Sequence, residues 1–257
     1  MMTSNDLKPR QTPGAQVNKT PTGWQLMVPT GNAGTYRLAQ LDNYSKFQRK
    51  NFPENTPTKL SLRCRASSAS CSGTWGFGFW NDPFAFSLGL KGTVQRLPAL
   101  PNACWFFHAS PENHLSFHDP LPGKGFLVQS FRSPQIPSLI MAPGILVMPF
   151  LKIKIFSRWL RAVTGRIINE DSRLLDLDVT GWHQYTLYWN VDRVRFEVDG
   201  RTVLESPTSP QGPLGVVIWL DNQFAAWNPS GGVSMGSLQQ NSDGWLEIEN
   251  LQIEMEA

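Results

Sequence analysis

The stretch Gly181-Trp-His-Gln-Tyr-Thr-Leu-Tyr-Trp-Asn-Val-Asp-Arg-Val-Arg-Phe-Glu-Val-Asp-Gly200 decides the fold class. Tyr185, Leu187 and Trp189 alternate with more polar neighbours, a short turn at Asn190–Asp192 follows, and Val194, Phe196 and Val198 alternate again. A period of two places one face of each strand in a core and the other in water. Asp199-Gly200 then forms a strong hairpin-turn signal leading into Thr202–Glu205, because both central positions of such a turn need a positive φ. The reading is an antiparallel meander.

The same period appears to either side. Lys59-Leu-Ser-Leu-Arg-Cys-Arg65 alternates, and Gly73-Thr-Trp-Gly-Phe-Gly-Phe-Trp80 puts Trp75, Phe77 and Phe79 on one face. Gly76 and Gly78 leave the opposite face without bulk, so another group can approach the backbone there. Leu214–Asp221 is apolar at nearly every position, as expected of a strand packed on both faces or lining an apolar groove. In Trp245–Met255 the apolar phase slips at Glu249-Asn250, from Leu246 and Ile248 to Leu251, Ile253 and Met255, which predicts a β-bulge. At 257 residues, with ten Trp and fifteen Phe to fill a core, one large all-β domain is expected. Residues 1–20, with Pro9, Pro13 and Gly14, read as a flexible tail, and 21–257 as the domain.

Ile136–Ile168 breaks the pattern. Its first sixteen residues, Ile136–Leu151, carry no charge, but Pro137, Pro143, Gly144 and Pro149 interrupt them too often for a membrane span. After Pro149 the spacing predicts a helix with Ile153, Phe156, Leu160, Val163 and Ile167 on one side, Lys154, Arg158 and Arg161 on the other, and Gly165 at its end. The expected arrangement packs the apolar stripe on the sandwich. The same pattern also fits a lid over an apolar pocket, or contact with a membrane surface through residues 150–164.

Charge is uneven along the chain. Met1–Arg65 has ten basic and three acidic residues, and Arg166–Ala257 has five and fourteen. Pairing of these ends inside one fold is expected, and nucleic-acid binding is not, since no recognised module accompanies the basic residues. The first ten residues lack the apolar run of an export signal, so the expectation is a cytoplasmic chain with Cys64 as a reduced core thiol. No phosphate-cradling or dinucleotide motif is present, and no cofactor is expected.

Gly181–Gly200 resembles the strand pair of glycoside hydrolase family sixteen and related concanavalin A-like lectin and glucanase domains, which read Trp-His-x-Tyr-x-x-x-Trp, an Asp-Arg turn, then Arg-Phe-x-Val-Asp-Gly. Gly73–Trp80 resembles the family's strand leading into its cleft, and Trp245–Met255 its closing strand. The resemblance implies an antiparallel jelly-roll β-sandwich with a concave saccharide-binding face, here carrying a short helical insertion at about 136–168. The family's Glu-x-Asp-x-x-Glu strand is missing; the region after the Gly73–Trp80 strand reads Pro101-Asn-Ala-Cys-Trp-Phe-Phe-His-Ala-Ser-Pro-Glu-Asn-His-Leu-Ser-Phe-His-Asp119. Retaining hydrolysis needs two carboxylates about 5.5 Å apart, and none can be carried over from the family.

Candidate site residues follow from strand phase. Trp80 and Trp219 lie out of phase with the core residues beside them, and each precedes an acid and an amide: Asn81 and Asp82, then Asp221 and Asn222. An aromatic face beside hydrogen-bonding groups suits a sugar. Asp221 and Asp82 are the candidate catalytic carboxylates, although Asn81-Asp82-Pro83 is also a turn sequence. Trp80, Trp219, Asn81, Asn222, Trp227 and His108 are the candidate ligand contacts. His114 and His118 would stand roughly 13 Å apart on a strand, too far to share one ion, so no metal site is expected. Two function classes remain open: a carbohydrate-directed domain, lectin-like or hydrolytic with non-standard carboxylates, and a pocket for an apolar, lipid-like small molecule beneath the 136–168 insertion.

Overall fold

The structure, a computed structural model, describes residues 2–3, 7–83, 94–136 and 150–255. Two antiparallel sheets form a jelly-roll sandwich. Across the first sheet the order is β13 (Arg201–Ser206), β12 (Val194–Val198), β11 (His183–Trp189), β6 (Thr58–Ala66), β17 (Gly244–Met255), β4 (Gly23–Val28) and β3 (Gln16–Lys19), with β1 (Met2–Thr3) also on β17. The second sheet runs β10 (Asn169–Leu174), β9 (Gly125–Arg132), β8 (Ala103–Ala109), β7 (Thr74–Trp80), β14 (Gly215–Asp221), β5 (Leu38–Asp42) and β2 (Lys8–Gln11). A ribbon of β15 (Gln223–Trp227) and β16 (Val233–Ser237), a single 3-10 turn at Arg49–Asn51 and one α-helix, α1 (Lys154–Ile167), complete the described elements.

The alternation read from the sequence builds the core between the sheets. Leu60, Leu62 and Cys64 from β6 and Tyr185, Leu187 and Trp189 from β11 meet Trp75, Phe77 and Phe79 from β7 and Val216, Ile218 and Leu220 from β14. Pleating sends the residues between them to the outer faces. The β12–β13 hairpin turns at Asp199 and Gly200, both with positive φ (50° and 74°). The slip at Glu249–Asn250 is a register shift between Glu249 and Gln252 against β6, with Asn250 at φ 51°.

Cross-strand pairs on the outer face of the first sheet join the basic start of the chain to its acidic end: Arg65 to Glu247 at 2.7 Å, Arg63 to Glu249 at 3.1 Å and Lys59 to Glu254 at 3.3 Å. Half-exposed pairs of this kind contribute little stability each. They do, however, cancel the lengthwise charge asymmetry within one sheet, and they favour the register that seats the core face of β17.

Three sequence expectations are corrected here. Residues 7–20 are not a loose tail, because β2 pairs with β5 and β3 with β4, closing an edge of each sheet. The helix is also rotated from the expectation: of the expected stripe, Ile153 and Ile167 are exposed and Phe156, Leu160 and Val163 only half-buried. Its buried side chains are Ser157 and Arg161, while Ile155 is 80% exposed and Trp159 59%. Arg161 decides this orientation: its guanidinium donates to the carbonyls of Ser116 (2.5 Å) and Trp227 (2.7 Å) and to Asp119 Oδ1 (3.1 Å). Gly165 does not end the helix. It lies within it and lets α1 approach the chain at Phe117, whose carbonyl oxygen would be 3.1 Å from an added Cβ. Of the insertion, residues 137–149 lie outside the described residues.

Candidate functional site

The outer face of the second sheet is aromatic because of phase. On β8, Cys104, Phe106 and His108 point into the core, so Ala103, Trp105, Phe107 and Ala109 point outward. On β14 the outward residues are Val217, Trp219 and Asp221. On β7 they are Thr74, Gly76, Gly78 and Trp80. The group that approaches the two glycines closely is the protein's own: an added Cβ on Gly76 would meet Trp219 Cη2 at 2.8 Å and the Phe106 carbonyl oxygen at 2.4 Å, and one on Gly78 would meet Trp105 Cβ at 2.7 Å. Substituting Gly76→Ala is expected to lower stability by about 1–3 kcal/mol, read as a fall in the urea midpoint. An unchanged midpoint would mean that both the Phe106 backbone and the Trp219 ring give way without cost.

Freed of obstruction, Trp219 lies parallel to Trp80, with interplanar angle 4° and centroids 6.2 Å apart. Trp105 closes the group, 6.1 Å from Trp80 and 5.7 Å from Trp219. Trp105 and Trp219 are each 8% exposed, whereas Trp80 is only half-buried. The aromatic row continues through Phe131 and Phe117 to Trp227, whose indole N–H donates to Ser157 of α1 at 2.9 Å.

Asp221 forms the polar end of the shelf. Its carboxylate accepts from Thr74 Oγ1 (2.7 Å), the Gln223 N–H (3.2 Å) and the Tyr36 hydroxyl (3.2 Å), and Thr74 Oγ1 in turn accepts from the Trp219 indole (3.0 Å). Burial pushes its pKa up to about 6, against the effect of those three donors. Burial and the neighbouring Asp221 charge raise the Tyr36 hydroxyl. At the opposite margin Gln129 accepts from the Trp105 indole (3.2 Å) and donates to Glu170 (2.9 Å), whose carboxyl burial also raises.

Asp82 stands apart from this group. Thr74 pairs with Asp221 and Trp80 with Gly215, so six residues of strand separate the two ends, about 20 Å. Asp82 lies two residues beyond Trp80, in the turn geometry its sequence suggested, at φ 48°. Its carboxylate binds Arg96 at 2.7 Å, and Arg49 donates to its carbonyl at 2.6 Å. Burial nevertheless raises its pKa, outweighing both cations. A surface depression of about 450 Å³ lined by Gln48, Arg49, Lys50, Gln95, Arg96 and Leu97 adjoins this latch and touches none of the tryptophans.

Of the residues singled out in the sequence, the structure thus brings Trp80, Trp219 and Asp221 to one face. Asp82 and Asp221 do not form a catalytic pair. Glu170 cannot replace Asp82 as a partner, because four strand spacings, about 19 Å, separate β10 from β14. Asn81 bonds the Asn102 N–H and the Leu100 carbonyl, and Asn222 the Arg37 N–H and the carbonyls of Thr35 and Leu238, so both amides hold loops. His108 lies on the core side, stacked 5.5 Å from Trp75, with its pKa lowered to about 4 by burial. Trp227 is committed to α1. Sequence reasoning missed Trp105, although the alternation Cys104, Phe106, His108 places it outward. It also missed Tyr36 and Thr74, which no local pattern marks.

No family model and no curated protein matches this chain. Among solved structures it is similar to a legume lectin-like domain from Entamoeba histolytica, with 7% identity, 98% of this chain and 91% of that one covered, and a TM-score of 0.48. It is also similar to a Crh5 transglycosylase in complex with NAG (13% identity, 97% and 80% covered, TM-score 0.47). A third likeness is to a laminarinase from Flavobacterium sp. UMI-01 (13% identity, 90% and 79% covered, TM-score 0.41). All three likenesses lie below 15% identity and below a TM-score of 0.5.

Proposed function

We propose that this chain is a carbohydrate-directed domain that binds a saccharide on the outer face of its second sheet without cleaving it. The observation that carries the reading is the half-buried Trp80 ring on this face, stacked parallel to Trp219, whose indole leads to the hydrogen-bonding group Tyr36–Asp221–Thr74. The apolar face of a pyranose stacks on an indole while its hydroxyls need donors and acceptors at the rim. Binding is favoured over hydrolysis because β8 offers Ala103, Trp105, Phe107 and Ala109 to this face. Asp221 also faces no carboxylate across either neighbouring strand, its register partners being Thr74 and Leu38.

Titration with soluble β-glucans, followed by tryptophan fluorescence and by calorimetry, tests the reading. Trp80→Ala is expected to weaken binding at least about tenfold, ~1.4 kcal/mol, and wild type should release no reducing ends. Silence across β-glucans and a broad glycan array would overturn the saccharide reading. Reducing ends released by wild type and abolished in Asp221→Asn would instead make the protein a hydrolase.

A second reading, an apolar small molecule on the same shelf, is favoured by the low exposure of Trp105 and Trp219 and the wholly apolar outward side of β8. Native mass spectrometry of freshly purified protein would reveal a retained apolar ligand. A chain that is always empty counts against it.

A further inference from the structure

Helix α1 is amphipathic in the wrong sense for a helix that caps a domain. At 100° per residue, Ser157 and Arg161 fall on one side, and that side faces the body. Ile155 and Trp159 fall on the opposite side, with Val163 half-buried beside them. Ile155 and Trp159 are 80% and 59% exposed, and at the ends of the segment Phe150, Ile153 and Ile167 are 55%, 55% and 41% exposed. A chain that only needed to pack this helix would bury those residues and leave Arg161 in water. Here a buried arginine and a glycine hold the polar side down and keep the apolar side out.

The charges around this ridge are of one sign. Between Lys152 and Ile168 there are five cations and no acid. Arg161 is used internally, while Lys152, Lys154, Arg158 and Arg166 are exposed and lack an ion-pair partner among the described residues. Lys152 and Lys154 stand at the amino end of the helix, where its dipole disfavours a cation and an anion outside would be favoured by both.

We propose that α1 is a membrane-contact element that lays Ile155, Trp159 and their neighbours into the interface of an anionic lipid surface, with the four cations on the headgroups. Low overall hydrophobicity, a strong apolar face, a tryptophan and flanking lysine and arginine are the composition of a helix that lies in the interface plane. The helix is neither long nor apolar enough to cross a membrane. A second copy of this chain is disfavoured as the occupant, because two such faces would set four cations against four. A folded protein partner would need a groove to receive a convex ridge, whereas lipid deforms around it. This proposal is independent of the saccharide reading, since it uses none of the shelf residues.

Flotation of the full chain with vesicles of phosphatidylcholine containing phosphatidylserine, and with pure phosphatidylcholine, tests it. Wild type should float with the anionic vesicles at low ionic strength, and do so less as salt rises. Ile155→Ser with Trp159→Ser, and separately Lys154→Glu with Arg158→Glu, should each weaken binding at least about tenfold. The altered side chains are exposed, so the fold should survive, and unchanged urea midpoints would verify that. No flotation of wild type at low salt overturns the proposal. So does flotation that neither double variant reduces, or a wild-type dimer that the Ile155/Trp159 variant converts to monomers.

Discussion

Asp221→Asn is expected to make the protein more stable at neutral pH, by about 1–3 kcal/mol, and to leave it nearly unchanged at pH 4. The folded carboxyl titrates at about 6, against about 3.9 when unfolded. A raised carboxyl favours the protonated folded state. Its stabilising effect is complete below the unfolded pKa and is lost as pH rises from about 4 to about 6. Two pKa units correspond to about 3 kcal/mol, an order-of-magnitude figure reduced by whatever Asn does not recover. Asn keeps an oxygen for Thr74 and Gln223 and turns its amide toward the Tyr36 oxygen, which can accept.

His108 makes this measurement more informative. Its folded pKa of about 4 lies below the unfolded value of 6.5, so the stability it supports is present above pH 6.5 and disappears as pH falls toward 4. The two groups therefore slope oppositely across one window, and the wild-type profile is flatter than either alone. In Asp221→Asn the histidine slope is unmasked, and between pH 4 and 6.5 the stability of the variant relative to wild type should climb by about 3 kcal/mol. Buried carboxyls common to both proteins, such as Glu170, cancel in the comparison. Urea midpoints from pH 4 to 8 provide the check. Parallel profiles would refute the account.

Arg96→Met should be the most damaging single change near the face, with a loss of about 3–5 kcal/mol. Arg96 is 1% exposed at its side chain, holds Asp82 at 2.7 Å, and donates to the carbonyls of Tyr44 (2.9 Å), Ser45 (3.0 Å) and Phe47 (2.6 Å). Its guanidinium also lies over the rings of Tyr44 and Phe52, at 5.4 and 5.0 Å. Methionine fills the volume but removes the ion pair from the Asp82 carboxylate and the donor from the Phe47 carbonyl, while the Tyr44 and Ser45 carbonyls keep only the N–H groups of Phe47 and Val94. Arg96→Lys should recover only part of the loss, because one ammonium cannot span the fork. With Arg96 gone the Asp82 pKa rises further, so the damage should be smaller at pH 5 than at pH 8. A midpoint that moves by less than about 1 kcal/mol would show the latch to be dispensable.

Much of the site was legible in strand phase. Trp219 and Asp221 were placed opposite Val216, Ile218 and Leu220, and Trp80 opposite Phe77 and Phe79, and the structure sets all three on one outer face. The partnership of Asp82 with Asp221 was not a matter of phase. Both follow a tryptophan near the end of a strand, but antiparallel pairing puts those ends at opposite edges of the sheet. His108 was proposed as a ligand contact, yet it shares phase with Cys104 and Phe106. That signal was present in the sequence and was outweighed by the chemistry of the side chain.

By itself the sequence determined which residues alternate, where hairpins turn, where β17 bulges, and therefore that two sheets share a core. These follow from backbone pleating and turn geometry, which each short segment carries on its own. The tertiary structure alone decided which strand edges the first twenty residues close, that Trp219 fills the space over Gly76, and that α1 presents its polar side inward. Those outcomes depend on partners far away in the chain. Arg161 is an exposed-face residue by helical spacing, and it becomes the buried one because the Ser116 and Trp227 carbonyls converge where only a long, five-donor side chain can satisfy them together.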